Sequence, residues 1–205
     1  GGLVYDAVAA FYRKFIIKRS LNHFIKKHFK RGADVLHAGC GGGQVDTDVH
    51  DYVAVTALDI SEKALSLYKK VNKNCCSLFH GSILDIRLPD ASVDGIYNLG
   101  VMEHFTEPEI QRILSEFHRV LKPQGRILLF WPPEFGMSVF FLKGVNYLLN
   151  RALKKEVKLH PDEITRVRSR KHVEALITAA GYRPVDYYFG IRDLFTYAVV
   201  VGEKK

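Results

Sequence analysis

The chain is poor in cysteine, with Cys40, Cys75 and Cys76 the three thiols among 205 residues. They form neither an even disulfide set nor a metal-ligand spacing, so buried thiols in a reducing compartment are expected and no metal site is assigned. Long apolar runs are missing too. The richest stretch, Met137 to Lys155, is interrupted by Lys143 and Asn146 and falls short of the roughly 20 apolar residues that span a bilayer. Charges break up the apolar residues from Arg13 onward, so no signal peptide is expected and a cytoplasmic location is. Repeats and low-complexity tracts are absent. The length predicts a single domain over residues 1–205, and 47% hydrophobic residues are enough to fill a two-sided sheet core.

Negative charge is in short supply, giving a net charge of +8, but unevenly so. Residues 1–31 carry eight Lys/Arg against one acid, and residues 143–171 nine against three, whereas residues 32–142 carry nine against fourteen. Two basic segments thus flank an acidic centre. They are either solvated helix faces or a surface for an anionic substrate, a membrane or nucleic acid.

What is present is a ligand loop. The apolar run Val35-Leu36-His37-Ala38 enters Gly39-Cys40-Gly41-Gly42-Gly43, a strand followed by a glycine turn whose backbone can approach a ligand closely. The spacing is Gly-x-Gly-x-Gly, and Gln44 stands where a dinucleotide fingerprint would have its third glycine. A second strand, Val53 to Leu58, ends at Asp59, twenty residues after Gly39, where a carboxylate can accept both hydroxyls of a ribose.

The successive stretches Leu36-His37-Ala38-Gly39-Cys40-Gly41, Leu58-Asp59-Ile60-Ser61, Gly81-Ser82, Gly100-Val101-Met102-Glu103-His104 and Val120-Leu121-Lys122-Pro123-Gln124-Gly125 resemble the motifs of class I S-adenosylmethionine-dependent methyltransferases, in order over residues 33 to 131. The group that methylates ubiquinone and menaquinone precursors is the most similar in flavour. The resemblance implies S-adenosylmethionine as cofactor, S-adenosylhomocysteine as product and a small-molecule acceptor. It assigns His37, Gly39, Cys40, Gly41, Gly43, Asp59, Ile60, Ser82, Ile83 and Asn98 to the cofactor pocket. His104 is the candidate general base, required where the nucleophile must lose a proton. The chain departs from the family's pattern at His37 and Ser82, positions where an acid is usual.

Strands alternating with helices predict an α/β fold, a doubly wound, Rossmann-like, mostly parallel seven-stranded sheet closed by a C-terminal antiparallel hairpin. Residues 1–31 read as an amphipathic helix, and the resemblance implies that it caps the cofactor, with Tyr5 or Tyr12 near the sulfonium or substrate or else simply in the core or rim. Residues 44–51 read as a short polar helix whose Asp46, Asp48 and Asp51 complement its dipole. Further helices are expected from Glu62 to Val71, after Glu107, and from Lys171 to Ala180. Strands are expected at Cys75–Phe79, Val93–Leu99 and Arg126–Trp131, and a hairpin pairs Tyr182–Phe189 with Phe195–Val201. Residues 134–168 read as a substrate lid inserted after the aromatic loop Trp131 to Gly136, with His160 able to return to the pocket.

Two rivals follow from the same residues. With two acids replaced in one pocket, the domain could bind cofactor poorly and serve as a binding or partner module. The positive charge suggests nucleic acid, but Asn98-Leu99-Gly100-Val101 is not the Asn-Pro-Pro-aromatic tetrad of base-methylating enzymes, so nucleic acid is not expected. Peripheral membrane contact through the basic helices, with no transmembrane segment, remains compatible.

Overall fold

Val35, Leu36, His37 and Ala38 are buried consecutively rather than alternately, as in a strand covered on both faces. This strand, β1 (Asp34–Ala38), lies inside the sheet in a computed structural model that describes residues 12–73, 77–135 and 164–205. The others are β2 (Ala54–Asp59), β3 (Ser77–His80), β4 (Val93–Leu99), β5 (Leu121–Trp131), β6 (Tyr182–Tyr188) and β7 (Ala198–Lys204). Together the described strands form a seven-stranded sheet in the order β3-β2-β1-β4-β5-β7-β6. β1 to β5 pair in parallel, and β7 runs antiparallel to both β5 and β6. Strand order reverses between β1 and β4, and at that switch point the carboxyl ends of the strands leave a crevice for ligands.

Alternate side chains build two cores. Leu21, Phe24 and Ile25 of helix α1 (Lys18–His28) pack with Val35, Val55, Tyr97 and Phe130 on one face. Leu65 and Tyr68 of α2 (Glu62–Val71) join Ala57 and Cys40 beside them. Ile110, Ile113, Leu114 and Phe117 of α3 (Glu107–Val120), with Val173 and Ile177 of α4 (Arg170–Ala179), cover Leu36, Ile96 and Leu129 on the other. Starts are set by caps: the Ser61 hydroxyl accepts from the Ala64 N–H, and Thr106 with Glu109 forms a capping box ahead of α3.

The fold class, the helix at 62–71 and the strand at 93–99 match the sequence reading. Residues 44–51 do not. They are turns ending in a short 3-10 segment, Val49–Asp51, because Asp46 is drawn into the interior instead of facing solvent on a helix. β5 also begins five residues early: Leu121 pairs with Val93, and Gln124, at φ +63°, makes an irregularity within the strand where a helix stop was expected. The hairpin's second strand starts at Ala198 rather than Phe195, leaving a longer connection that holds a 3-10 turn, Ile191–Asp193.

Tyr5, the helix expected within 137–155, His160 and most of the lid fall outside the described residues. The described ends of segment 134–168 are tied to the sheet. Val167 N–H donates to the Pro132 carbonyl at 3.0 Å, and the buried Trp131 Nε1–H donates to the Thr165 carbonyl at 2.9 Å. The backbone N–H groups of Ile164 and Thr165 both donate to the Glu103 carbonyl. Among the described residues no helix is long and apolar enough to cross a membrane.

Candidate active site

The β1 strand hands over to the loop with Gly39, Gly41 and Gly43 all at positive φ. At Gly43 the requirement is doubled, since a Cβ there would sit 2.3 Å from Asn72 Nδ2 and 2.4 Å from the Tyr68 ring. At Gly41 nothing lies within 4 Å of where a Cβ would be, so this part of the loop faces open space. The Gly39 and Cys40 N–H groups donate to the Leu58 carbonyl, which fastens the loop to the end of β2.

Asp59 closes that end of the crevice. Its Oδ2 accepts from the Gly41 N–H at 2.8 Å and its Oδ1 from the Ser61 N–H at 2.9 Å, so the carboxylate is aimed before any ligand arrives. A carboxylate accepts about four hydrogen bonds, and two of these leave capacity for a pair of sugar hydroxyls. Ile60, 73% exposed, presents apolar surface next to it. After β3, the Ser82 hydroxyl accepts from the Leu84 N–H at 3.1 Å and its carbonyl accepts from the Asp85 N–H, while Ile83 is buried. Ser82 is thus engaged in its own turn, and Asp85 is exposed beside it.

At the end of β4, Asn98 is fully buried and neither its Oδ1 nor its Nδ2 has a partner. A buried amide left this way fits a site completed by a ligand. Gly100, at φ +63°, turns the chain away, and Glu103 Oε1 and the Tyr197 hydroxyl lie 3.2 and 3.4 Å from where its Cβ would be. Burial, then the neighbouring Glu103, raises the Tyr197 phenol well above its usual range. His104 stands exposed on the 3-10 turn Met102–His104, at the rim rather than in the crevice.

His37 does not reach the ligand side. Its ring is buried under the loop, stacked on Tyr97 with centroids 4.2 Å apart, and its Nδ1–H donates to Asp46 Oδ2 at 2.5 Å. The Tyr68 hydroxyl donates to the same oxygen at 2.6 Å, and His50 Nε2–H donates to the Tyr68 oxygen at 3.1 Å. Burial holds the His50 ring below its usual pKa, consistent with that neutral donor. His37, which stands where an acid is usual, is thus hydrogen-bonded to a buried acid nine residues on, beneath the loop. The sequence reading has Asp46 complementing a helix dipole, and the missing acid at position 37 was the signal that could have drawn attention to it.

The connection between β6 and β7 adds a second group unseen in the sequence. Asp193 is fully buried, its Oδ2 accepts from the Tyr197 N–H at 3.0 Å, and burial raises its carboxyl to a pKa of about 6. Tyr12, one of the two tyrosines considered for the sulfonium or substrate, donates to the Asp193 carbonyl at 2.5 Å and is hydrogen-bonded to the Thr196 hydroxyl, tying the N-terminal helix to this connection. Phe135, Phe189 and Phe195 meet edge to face at the same end of the sheet, with centroids 5.1 and 5.4 Å apart.

A glycine loop backed by an aimed Asp59, on a sheet with this strand order, coincides with a family match. Residues 36–129 match the model of a methyltransferase domain. They form a methyltransferase domain of the class I, S-adenosylmethionine-dependent family. A probable S-adenosylmethionine-dependent methyltransferase of Mycolicibacterium smegmatis is 35% identical over 112 residues, 54% of this chain and 42% of that protein. The demethylmenaquinone methyltransferase of Symbiobacterium thermophilum is 28% identical over 202 residues, covering 87% of this chain and 78% of that enzyme. The chain thus spans less than half of the mycobacterial relative. Among solved structures, a protein from Pyrococcus horikoshii superposes with a TM-score of 0.71 at 21% identity, over 95% of this chain and 92% of the other. The magnesium protoporphyrin IX methyltransferase of Synechocystis, solved with bound S-adenosylhomocysteine, gives 0.70 at 15% identity, over 100% and 88%. At such identities these two show a shared fold.

The methyltransferase domain's cofactor is S-adenosylmethionine, and the residues present fit it: the open loop at Gly41, the spare acceptor capacity of Asp59, the exposed Ile60 and the unpartnered amide of Asn98. No observation favours the binding-module reading.

Proposed function

We propose that the chain transfers the methyl group of S-adenosylmethionine to a small acceptor that is anionic or amphiphilic, at the carboxyl edge of the sheet. The observation that carries the acceptor class is the Phe135–Phe189–Phe195 set, an apolar wall at the edge where Gly41 and Asp59 meet. The demethylmenaquinone methyltransferase that covers most of this chain supports it, because an aromatic wall suits an acceptor of that apolar kind.

When bound, S-adenosylmethionine supplies an electrophilic methyl group on a positively charged sulfur. The chain's task is then mainly placement, and orientation alone can contribute about 7–11 kcal/mol to such a step. Asp59 receives the ribose hydroxyls, Gly39, Cys40, Gly41 and Gly43 present backbone, Ile60, Ser82 and Ile83 border the adenine, and Asn98 hydrogen-bonds the methionine end. His37 supports the loop from beneath through Asp46. His104, at the rim beside Glu103, takes a proton from an acceptor that must lose one. The buried thiol of Cys40 suits a cytoplasmic enzyme.

The test is methyl transfer from radiolabelled S-adenosylmethionine to separate pools of amphiphilic anions, oligonucleotides and peptides. Label in the amphiphile pool is expected. Label confined to oligonucleotide or peptide, or to no pool, contradicts the reading.

A further inference from the structure

The outer face of α1 and of the helical turn that leads into it, Arg13–Ile17, is a basic groove that methyl transfer does not use. It has a volume of about 460 Å³ and is lined by Lys14, Phe15, Lys18, Arg19, His23 and Lys26. The opposite face of the same helix, Leu21, Phe24 and Ile25, is buried on the sheet, so the basic side chains are held outward. They recur at helical spacing over roughly 18 Å of helix at 1.5 Å per residue. Asp48 is the acid among the lining residues, and it is ion-paired with Lys18 at 2.7 Å. Burial lowers the pKa of His23, and the neighbouring Arg192 and Lys27 lower it further, so positive charge from the β6–β7 connection adds to the stripe.

That connection is also apolar. Ile191 is 70% exposed and Leu194 43%, on either side of Arg192 and the buried Asp193, and Phe15 is exposed at the other margin of the groove. Tyr12 joins the two parts through its hydrogen bond to the Asp193 carbonyl. Lysine-rich charge bordered by outward apolar side chains is the composition of a surface that lies on a bilayer, the cations meeting anionic headgroups and the apolar groups entering the acyl boundary. A nucleic-acid groove would have little use for exposed isoleucine and leucine, which have no π face to stack on a base.

We propose that α1 and the β6–β7 connection dock the enzyme on an anionic lipid bilayer. The β6–β7 connection lies at the carboxyl edge of the sheet, where Ala198 pairs with Trp131 at the end of β5, so an amphiphilic acceptor would reach the crevice from the membrane on that side.

The test is co-sedimentation of the full chain with vesicles of phosphatidylcholine alone and of phosphatidylcholine with 30% phosphatidylserine, at low and at high salt. Binding to the anionic vesicles only, weakened by salt, is expected. The triple variant K14E/R19E/K26E should partition at least about tenfold more weakly, and Ile191→Glu should weaken binding that persists at high salt. Calorimetry with S-adenosylmethionine keeps the variants interpretable, because none of the four residues belongs to the cofactor site and unchanged affinity reports an intact fold. No binding to anionic vesicles, equal binding by the triple variant, or binding of a random oligonucleotide in place of vesicles would overturn the proposal. Vesicle binding needs neither cofactor nor acceptor, so either failure leaves the methyl-transfer reading to its own test.

Discussion

Asp193 shows how a single carboxyl can set the pH response of this protein. Its folded pKa of about 6 lies above the ordinary carboxylate value because burial outweighs the backbone N–H groups that face it. The folded state therefore holds this proton more tightly than the unfolded chain, and the stabilisation that results is full at low pH and is lost as pH rises through about 6. Ionising the carboxyl in place costs roughly 2–3 kcal/mol. Asp193→Asn keeps an acceptor for the Tyr197 N–H and removes the titration. Denaturant midpoints should accordingly be higher than wild type at pH 7–8, and the fall in stability between pH 4 and 6 should flatten. An unchanged slope in the variant would show that other groups carry it.

Gly43 is the second residue with a sharp consequence. Alanine there must take a positive φ and press on Asn72 and Tyr68, which themselves hold the Gly43 carbonyl and Asp46. A loss of ~2–4 kcal/mol is expected from strain and overpacking together, measured by urea unfolding. A midpoint within error of wild type would mean the loop relaxes freely. The glycines at 39, 41 and 43 and Asp59 were legible in the sequence because each acts near its own place in the chain. The His37–Asp46–Tyr68 contact was not, since it joins residues nine and twenty-two apart across the loop, and nothing in the run 44–51 marks Asp46 as the aspartate that turns inward.

At the scale of elements, regular segments with strong local signals matched and irregular ones did not. The helix at 62–71 had its Ser61 cap and apolar spacing, and the Val93–Leu99 strand ran between turn signals. The start of β5 was missed because Pro123-Gln124-Gly125 has the composition of a helix stop, whereas pairing with β4 draws Leu121 and Lys122 into the sheet. The pinning of Thr165 to the sheet was invisible for a similar reason: it depends on Trp131 reaching the Thr165 carbonyl across 34 residues. Trp131→Phe removes that donor and leaves a buried carbonyl unsatisfied, at about 1–3 kcal/mol. Amide exchange at Ile164, Thr165 and Val167 should then quicken while exchange in β4 stays slow. Uniform acceleration across the sheet would instead indicate a global loss of stability.

For the whole molecule, strand order and glycine loop together place a crevice at the switch point between β1 and β4, bordered by Gly41, Asp59 and Asn98. The alternation of strands and helices made the doubly wound architecture readable, and the C-terminal hairpin its antiparallel ending. What the sequence could not show is how distant segments converge: the N-terminal helix reaches the β6–β7 connection through Tyr12, over 181 positions. The central claim, that this crevice binds S-adenosylmethionine through Asp59, is tested most directly by calorimetric titration of wild type and Asp59→Ala with S-adenosylmethionine and S-adenosylhomocysteine, with NAD as control. The account predicts micromolar binding of both ligands to wild type, none of NAD, and an affinity roughly 10- to 100-fold weaker in the variant. A folded wild type that binds neither ligand, or a variant that binds as tightly as wild type, would contradict it.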